Sequence, residues 1–220
     1  MSVKIAQNLE EIKSQVGPNV TLVAVSKTKP ESDIMEAYNA GHRVFGENKI
    51  QEMADKYESL PKDIEWHMIG HVQSNKVKYM APFVTLVHAV HKMKLLKEIN
   101  KRAKQNNRVI DCLLQVKIAD EDSKYGMSVN ETEAFLKDER LNNFENVRIK
   151  GLMGMATFTD DEEQLKHEFS ILQNLYHKLE KEYSEFDTLS MGMSGDYEVA
   201  IAHDSNMVRV GSSIFGERNY

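Results

Sequence analysis

The sequence predicts an α/β protein, a single (β/α)8 TIM barrel with parallel strands and one extra N-terminal helix. Eight short segments rich in Val, Ile, Leu or Met recur along the 220 residues, and amphipathic helical patterns separate them. Short strands that are apolar on both faces are typical of a buried parallel sheet. Parallel neighbours need crossover helices, so both a closed barrel and an open doubly wound sheet fit this alternation. Eight repeats favour the closed barrel.

The eight predicted strands cover residues 21–26, 43–47, 65–69, 85–90, 112–118, 149–155, 188–193 and 207–210. A helix over residues 3–16 precedes them and ends at Gly17-Pro18, because proline cannot continue a helix. A later helical pattern ends at Gly41, and the one that starts at residue 93 ends in the basic run 101–104, which suits a helix C-terminus. The longest helix opens with four acidic residues, 160–163, which we interpret as a solvated helix start rather than a metal site.

Composition narrows the class of protein. A net charge of −6 without a Lys/Arg block argues against nucleic-acid binding. No apolar stretch approaches the roughly 20 residues that cross a bilayer, and the N-terminus does not resemble a signal peptide. Cys112 is the single cysteine and is expected to be buried. A single cysteine cannot form a disulfide within the chain, which fits a reducing cytoplasm. Without any Gly/Pro/Ser-rich linker, residues 1–220 are predicted to form one domain.

Lys27 is the first candidate for chemistry, because it follows the apolar run 23–26 at the carboxyl end of the first strand. Barrels of this kind carry their chemistry at the carboxyl ends of the strands. Burial lowers the pKa of a lysine, and the neutral amine is a nucleophile that can form a Schiff base. The alternative is an edge lysine whose ammonium reaches water. The neighbouring Lys29-Pro30 is interpreted as ordinary loop.

Two further segments predict an anion site. Ser194 follows the seventh strand at the start of a helix, where a hydroxyl and backbone N–H groups are available to an anion. Arg209 lies in the eighth strand, and the small residues Gly211 and Ser212 after it let backbone N–H groups approach a phosphate. Barrels commonly bind phosphate at the loops after strands seven and eight.

Three polar residues follow the second and third strands. Asn48 either caps the next helix or faces a ligand. His67 and His71 are four residues apart, but a strand end and Gly70 separate them, so they do not share a helical face. We therefore predict no zinc site and expect both histidines to be hydrogen-bonded structural residues.

Taken together, these segments resemble the pyridoxal 5′-phosphate (PLP) homeostasis proteins. The matching motifs run in order along the chain: VSKTKP (25–30), FGEN (45–48), WHMIG (66–70), QSNK (73–76), KYGM (124–127), GLMGM (151–155), SMGMS (190–194) and RVGSSIFG (209–216). The resemblance implies a fold-type III PLP barrel, like the N-terminal domain of alanine racemases. It also implies that Lys27 forms the internal aldimine and that Ser194 and the backbone of Gly211 and Ser212 hold the phosphate.

By the same resemblance, Asn48 lies near the cofactor ring and Arg209 faces the pyridine nitrogen. A cationic partner disfavours protonation of the ring and weakens it as an electron sink. This suits a carrier that holds PLP and supplies it to apo PLP-dependent enzymes. We expect the protein to act in the cytoplasm as a monomer, with a dimer as the alternative. We assign no catalytic residue.

Two alternatives remain open. One is an amino-acid racemase of the same fold, although the chain stops before the second domain that racemases add. The other is a sugar-phosphate isomerase barrel, which leaves Lys27 without a clear purpose. Lys124 is either a second aldehyde acceptor or, as we favour, a surface lysine.

Overall fold

The fold, seen in a computed structural model that describes residues 4–119 and 125–217, is a closed barrel of eight parallel strands. Each strand pairs with its sequence neighbours, and β1 pairs with β8 to close the barrel. The strands are β1 (Thr21–Val25), β2 (Val44–Glu47), β3 (Glu65–Met68), β4 (Leu86–Val90), β5 (Ile110–Val116), β6 (Val147–Gly154), β7 (Thr188–Met193) and β8 (Met207–Val210). The predicted fold class and all eight predicted strands are confirmed, and β7 and β8 have the predicted bounds.

Helices surround the strands, and one helix precedes β1, as predicted. They are α1 (Ile5–Val16), α2 (Glu31–Asn39), α3 (Ile50–Ser59), α4 (Val77–Met80), α5 (Met93–Gln105), α6 (Val129–Leu136), α7 (Glu162–Leu179), α8 (Tyr197–Ala202) and α9 (Ser212–Phe215). Two 3-10 turns, Ser74–Lys76 and Glu139–Asn143, complete the described elements. In the described part of the chain, no helix has both the length and the apolar character that a membrane span requires.

Local signals in the sequence set several helix ends. The backbone turns into the left-handed region at Gly17 and Gly41, with φ of 78° and 86°, just after α1 and α2. Asp161 caps α7 by accepting hydrogen bonds from the N–H groups of Glu163 and Gln164. The acidic run at 160–163 therefore serves as a helix start, as interpreted from the sequence.

Apolar side chains pack in two clusters. The larger one lies between strands and helices and includes Trp66, Phe45 and Phe169, all fully buried. Cys112 belongs to it, as expected, and burial raises the pKa of its thiol. The smaller one lies on the inside of the barrel and consists of Val23, Leu86, Ala89, Leu113, Met153 and Met207. Leu86 and Ala89 both belong to it although they are three residues apart in β4, where the strand register shifts. The barrel interior also contains buried polar side chains, which belong to the site described next.

Candidate functional site

A cavity of about 520 Å³ opens at the carboxyl ends of the strands. This volume lies within the range of small-molecule sites, roughly 300–1,000 Å³. The residues predicted from the sequence as ligand-binding all line it: Lys27, Asn48, Ser194, Arg209, Gly211 and Ser212. They come from the ends of β1, β2, β7 and β8, which the closed barrel brings to one mouth.

The backbone on both sides of Lys27 is fixed by hydrogen bonds. Lys27 is half-buried and follows Ser26, whose hydroxyl donates to Glu47 Oε1 at 2.7 Å. Thr28 has a φ of 62°, which is rare for a β-branched residue. Its N–H donates to Glu52 Oε1 at 2.5 Å. The strand end therefore presents the Lys27 side chain from a backbone with little freedom to turn.

These contacts belong to one buried ionic network, composed of Glu47, Lys56 and Glu52. Lys56 Nζ donates to Glu47 Oε1 at 2.7 Å, to Glu52 Oε1 at 2.8 Å and to the Ser26 carbonyl at 2.8 Å. Burial raises the pKa of Glu47, and the charge of Lys56 opposes this rise. Because Glu47 is fully buried, its carboxylate depends on Lys56 for compensation.

Arg209 is buried at the base of the cavity, with 4% of its surface exposed. Its Nη1 donates to the carbonyl and the hydroxyl of Ser190, at 3.0 and 2.6 Å, and its Nη2 donates to the Gly154 carbonyl at 2.9 Å. Burial lowers the pKa of Arg209 to about 10, so the guanidinium stays cationic at neutral pH. The sequence predicted its place in the site but not these contacts.

The two predicted phosphate loops are in direct contact. The Gly211 N–H donates to Ser194 Oγ at 3.1 Å, which leaves the hydroxyl proton of Ser194 free to donate to another acceptor. A Cβ on Gly211 would lie 3.2 Å from the Val25 carbonyl oxygen, tighter than ordinary packing. Glycine thus lets the loop after β8 approach β1, so that the predicted anion site is next to Lys27.

Asn48 lines the cavity instead of capping the helix that follows it. The N-cap residue of α3 is Lys49, and no side chain caps this helix. A Cβ on Gly70 would lie 2.3 Å from the Asn48 carbonyl oxygen, so only glycine permits this approach of the loops after β2 and β3. Of the two interpretations of Asn48, the ligand-facing position fits the structure.

Sequence reasoning missed other residues of the site. Lys29, interpreted as ordinary loop, donates from Nζ to the carbonyls of Phe215, Gly216 and Glu217 at 2.9 to 3.1 Å. Lys29 does lie in the loop after β1, as interpreted, but its contact was not predicted, because it joins segments almost 190 residues apart. His88 and Ser190 were also missed, although a polar residue inside a buried strand is a usable signal.

The two histidines near the third strand have different surroundings. His67 is hydrogen-bonded to His88, with 3.1 Å between Nδ1 and Nε2, which confirms the expected structural role. His71 does not meet the same expectation: it is exposed at the cavity wall, where its ring lies against His91 and Tyr125. Among the described residues, no three His, Cys, Asp or Glu side chains are grouped as a metal site. Lys124 lies outside the described residues.

Comparisons with known proteins agree with this architecture. The family model for the alanine racemase N-terminal domain matches residues 2–219. The pyridoxal phosphate homeostasis protein of Vibrio alginolyticus is 40% identical, with 98% of each chain covered, and that of Aquifex aeolicus is 41% identical, covering 90% of this chain and 87% of its own. The structure of PipY from Synechococcus elongatus with PLP bound superposes with a TM-score of 0.86, at 32% identity, over 96% of this chain and all of PipY.

The family model spans nearly the whole chain, and the identity to the curated relatives extends over nearly all of it. The motifs quoted above lie in the matched region. The chain therefore belongs to the pyridoxal phosphate homeostasis proteins, within the alanine racemase N-terminal domain family.

Proposed function

We propose that this protein binds PLP in the cavity, with Lys27 as its covalent anchor, and serves PLP homeostasis by holding and releasing the cofactor. One observation carries the proposal: the amine, the buried guanidinium and the two anion loops line the same cavity. The PLP-bound state of the relative PipY supports it.

The residues present fit the chemical groups of PLP. The Ser194 hydroxyl and the N–H of Ser212 would hold the phosphate, because hydroxyls and exposed backbone amides are good phosphate donors. The Gly211 N–H, which donates to Ser194 Oγ, would orient that hydroxyl toward the phosphate. Arg209 would face the pyridine nitrogen, and Asn48 would lie beside the ring. All five line the cavity with Lys27.

Lys27 supplies the nucleophile in this proposal. Its neutral Nζ attacks the aldehyde carbon, a C=N bond replaces the C=O bond, and one water leaves. Addition of water reverses the reaction and releases the aldehyde. Bound PLP supplies an electron sink, and a cationic Arg209 at the ring nitrogen weakens that sink. The site thus favours storage over broad catalysis.

The proposal extends to the cellular role. The chain acts as a single domain over residues 1–220 and as a monomer in the cytoplasm, and it delivers PLP to apo PLP-dependent enzymes. Its net charge of −6 argues against nucleic acid as a partner. The test is to mix the PLP-loaded protein with an apo-enzyme and to follow reactivation. Reactivation faster than the dissociation of PLP into solution allows would support direct delivery. Equal rates would limit the role to storage.

Hydride trapping tests the covalent anchor. The purified protein is loaded with PLP, reduced with borohydride, digested and mapped by mass spectrometry. We expect the label on Lys27, and we expect Lys27→Ala to lose both the label and the absorption of the bound cofactor. The matched control is Lys92→Ala, an exposed lysine after β4. A label that persists in Lys27→Ala, or that is lost only in Lys92→Ala, would refute the assignment.

A racemase of the same fold is the second candidate, and the match to the alanine racemase N-terminal domain is the observation that favours it. Solvent-deuterium exchange at Cα of alanine separates the two. Exchange at a rate typical of enzymes would establish catalysis, whereas PLP-loaded protein without exchange would support the carrier.

A further inference from the structure

A chain of buried polar side chains crosses the inside of the barrel and ends at Arg209. We call it the polar chain; it consists of His67, His88, Ser190 and Arg209, from β3, β4, β7 and β8. The links are His67 Nδ1 to His88 Nε2 at 3.1 Å, His88 Nδ1 to Ser190 Oγ at 3.1 Å, and Arg209 Nη1 to Ser190 Oγ at 2.6 Å. Each member has no more than 4% of its surface exposed.

The direction of each hydrogen bond follows from the chemistry of the groups. A guanidinium donates only, so Ser190 Oγ accepts from Arg209. The Ser190 hydroxyl proton then needs an acceptor of its own, and within the described residues His88 Nδ1 is the one in reach. The reverse bond, from His88 to Ser190, would leave a buried O–H without an acceptor, an arrangement that folded proteins avoid.

The protonation of His88 follows in turn. Burial holds the pKa of His88 well below its ordinary value, and its neighbours His67 and Arg209 lower it further, so the ring is neutral. A neutral ring that accepts at Nδ1 carries its proton on Nε2. This proton is donated to Nδ1 of His67, whose pKa burial lowers to about 3. Along the polar chain, each group therefore turns a lone pair toward Arg209.

Arg209 is a buried cation that the polar chain and two carbonyls stabilise. No carboxylate of the described residues contacts its guanidinium, although the charge of Asp196 acts on it from a distance. Three of its five N–H donors bind Ser190 and Gly154, which leaves two for a ligand in the cavity that Arg209 lines.

We propose that Ser190 and His88 are positioning residues for Arg209, which they hold by aligned hydrogen bonds so that its remaining N–H donors face the ring nitrogen of the ligand. The ring nitrogen then stays an acceptor and does not gain a proton. This inference rests on the proposed function, which assigns PLP to the cavity. The inference adds which residues set the electronic state of the PLP ring.

The first test needs no ligand. Long-range ¹H–¹⁵N spectra of the histidine rings in the unliganded protein report which ring nitrogen carries the proton, and His88→Phe assigns the signals. We expect the proton of His88 on Nε2, with scalar coupling across the N–H···N bond to His67. A His88 ring protonated on Nδ1 would overturn the inference.

The second test compares two buried serines. Ser190→Ala removes the hydroxyl that binds Arg209, whereas Ser205→Ala removes an equally buried hydroxyl that binds only the backbone of Leu189, Met191 and Met207. We expect Ser190→Ala to shift the absorption of bound PLP and to speed its dissociation by about tenfold, roughly the effect of losing the bond between a displaced Arg209 and the ring nitrogen. Ser205→Ala should keep the wild-type absorption. Equal spectra and dissociation rates in the two variants would overturn the inference.

His88→Phe gives a third reading, because it keeps an aromatic ring while removing the acceptor for Ser190. Its absorption should shift in the same direction as that of Ser190→Ala, and an unshifted spectrum would count against the positioning role. The failures are distinguishable. If hydride trapping labels a residue other than Lys27, the proposed function fails, whereas the ring spectra still decide the direction of the polar chain.

Discussion

The buried ionic network beneath Lys27 offers a sharp test of the structure, through the substitution Lys56→Met. Methionine fits the same volume without the charge, so the substitution leaves the Glu47 carboxylate buried without its cation. The side chain of Lys56 is 8% exposed and that of Glu47 is 0% exposed, so water does not replace the lost partner. Glu52, at 24%, is less dependent on Lys56.

The magnitude follows from this burial. Removing one partner of a buried ion pair destabilises a protein by about 3–5 kcal/mol. For a domain of this size, each kcal/mol lowers the melting temperature by about 2–4 °C, so we expect a decrease of about 6–20 °C. Lys56 also donates to the Ser26 carbonyl, so part of this loss loosens the strand end that presents Lys27.

The size of the loss should depend on pH. Burial raises the pKa of Glu47, and without Lys56, which lowers it, this pKa rises further. A carboxyl whose pKa is raised on folding favours the folded state when it is protonated and disfavours it when it is ionised. The destabilisation by Lys56→Met should therefore be largest at about pH 8 and should shrink as the pH falls toward about 5.

Urea unfolding of the unliganded protein, followed by circular dichroism at both pH values, measures the effect. The matched control is Lys178→Met, which breaks an exposed pair of similar length, 2.7 Å, with Glu133 and should barely move the midpoint. The double variant Glu47→Gln, Lys56→Met should recover much of the stability, because no buried charge remains. The reasoning is refuted if Lys56→Met is no more destabilised than Lys178→Met, or if its loss grows at low pH.

Two further predictions concern the anion site and the surface. Ser194→Ala should weaken PLP binding by about 1–3 kcal/mol, roughly 5–150-fold in Kd, because a donor to a charged group is lost. Equilibrium dialysis measures the Kd. An equal loss of affinity for pyridoxal, which lacks the phosphate, would contradict the assignment. Hydrogen bonds to Glu180 and, to a smaller extent, to Asp204 raise the pKa of His177. The protonated ring therefore stabilises the folded state below the unfolded pKa of 6.5, and this stabilisation is lost as the pH rises through the raised folded pKa. His177→Asn should lower the unfolding free energy at low pH only, and a deficit that persists above this window would argue against the ion pairs.

The site was foreseeable where its residues follow strands. Lys27, Asn48, Ser194 and Gly211 each come directly after a recognisable strand, and the carboxyl ends of parallel strands in a closed barrel meet at one mouth. The sequence also supplied the motifs that indicate the family. It could not tell whether Asn48 caps a helix or faces a ligand, because both outcomes use the same residue at the same position.

Contacts that join distant segments were not foreseeable. Lys29 binds carbonyls near the end of the described chain, almost 190 residues away. The Glu47–Lys56 pair is only nine residues apart, but the burial of both side chains depends on how the helix after β2 packs against the barrel. Lysine and glutamate side chains are usually solvated, so the sequence does not show that Lys56 and Glu47 form a buried ion pair.

By itself, the sequence determined the alternation of eight strands with helices, the helix ends at Gly17 and Gly41, and the loops that bear the ligand-binding residues. These features depend on local periodicity and on the conformational preferences of glycine and proline, which act within a few residues. Only the tertiary structure decided that Arg209 is buried, and that Ser190 and His88 connect it to the opposite wall. Barrel closure places these strands face to face, and no local pattern encodes which polar side chains then meet across the interior.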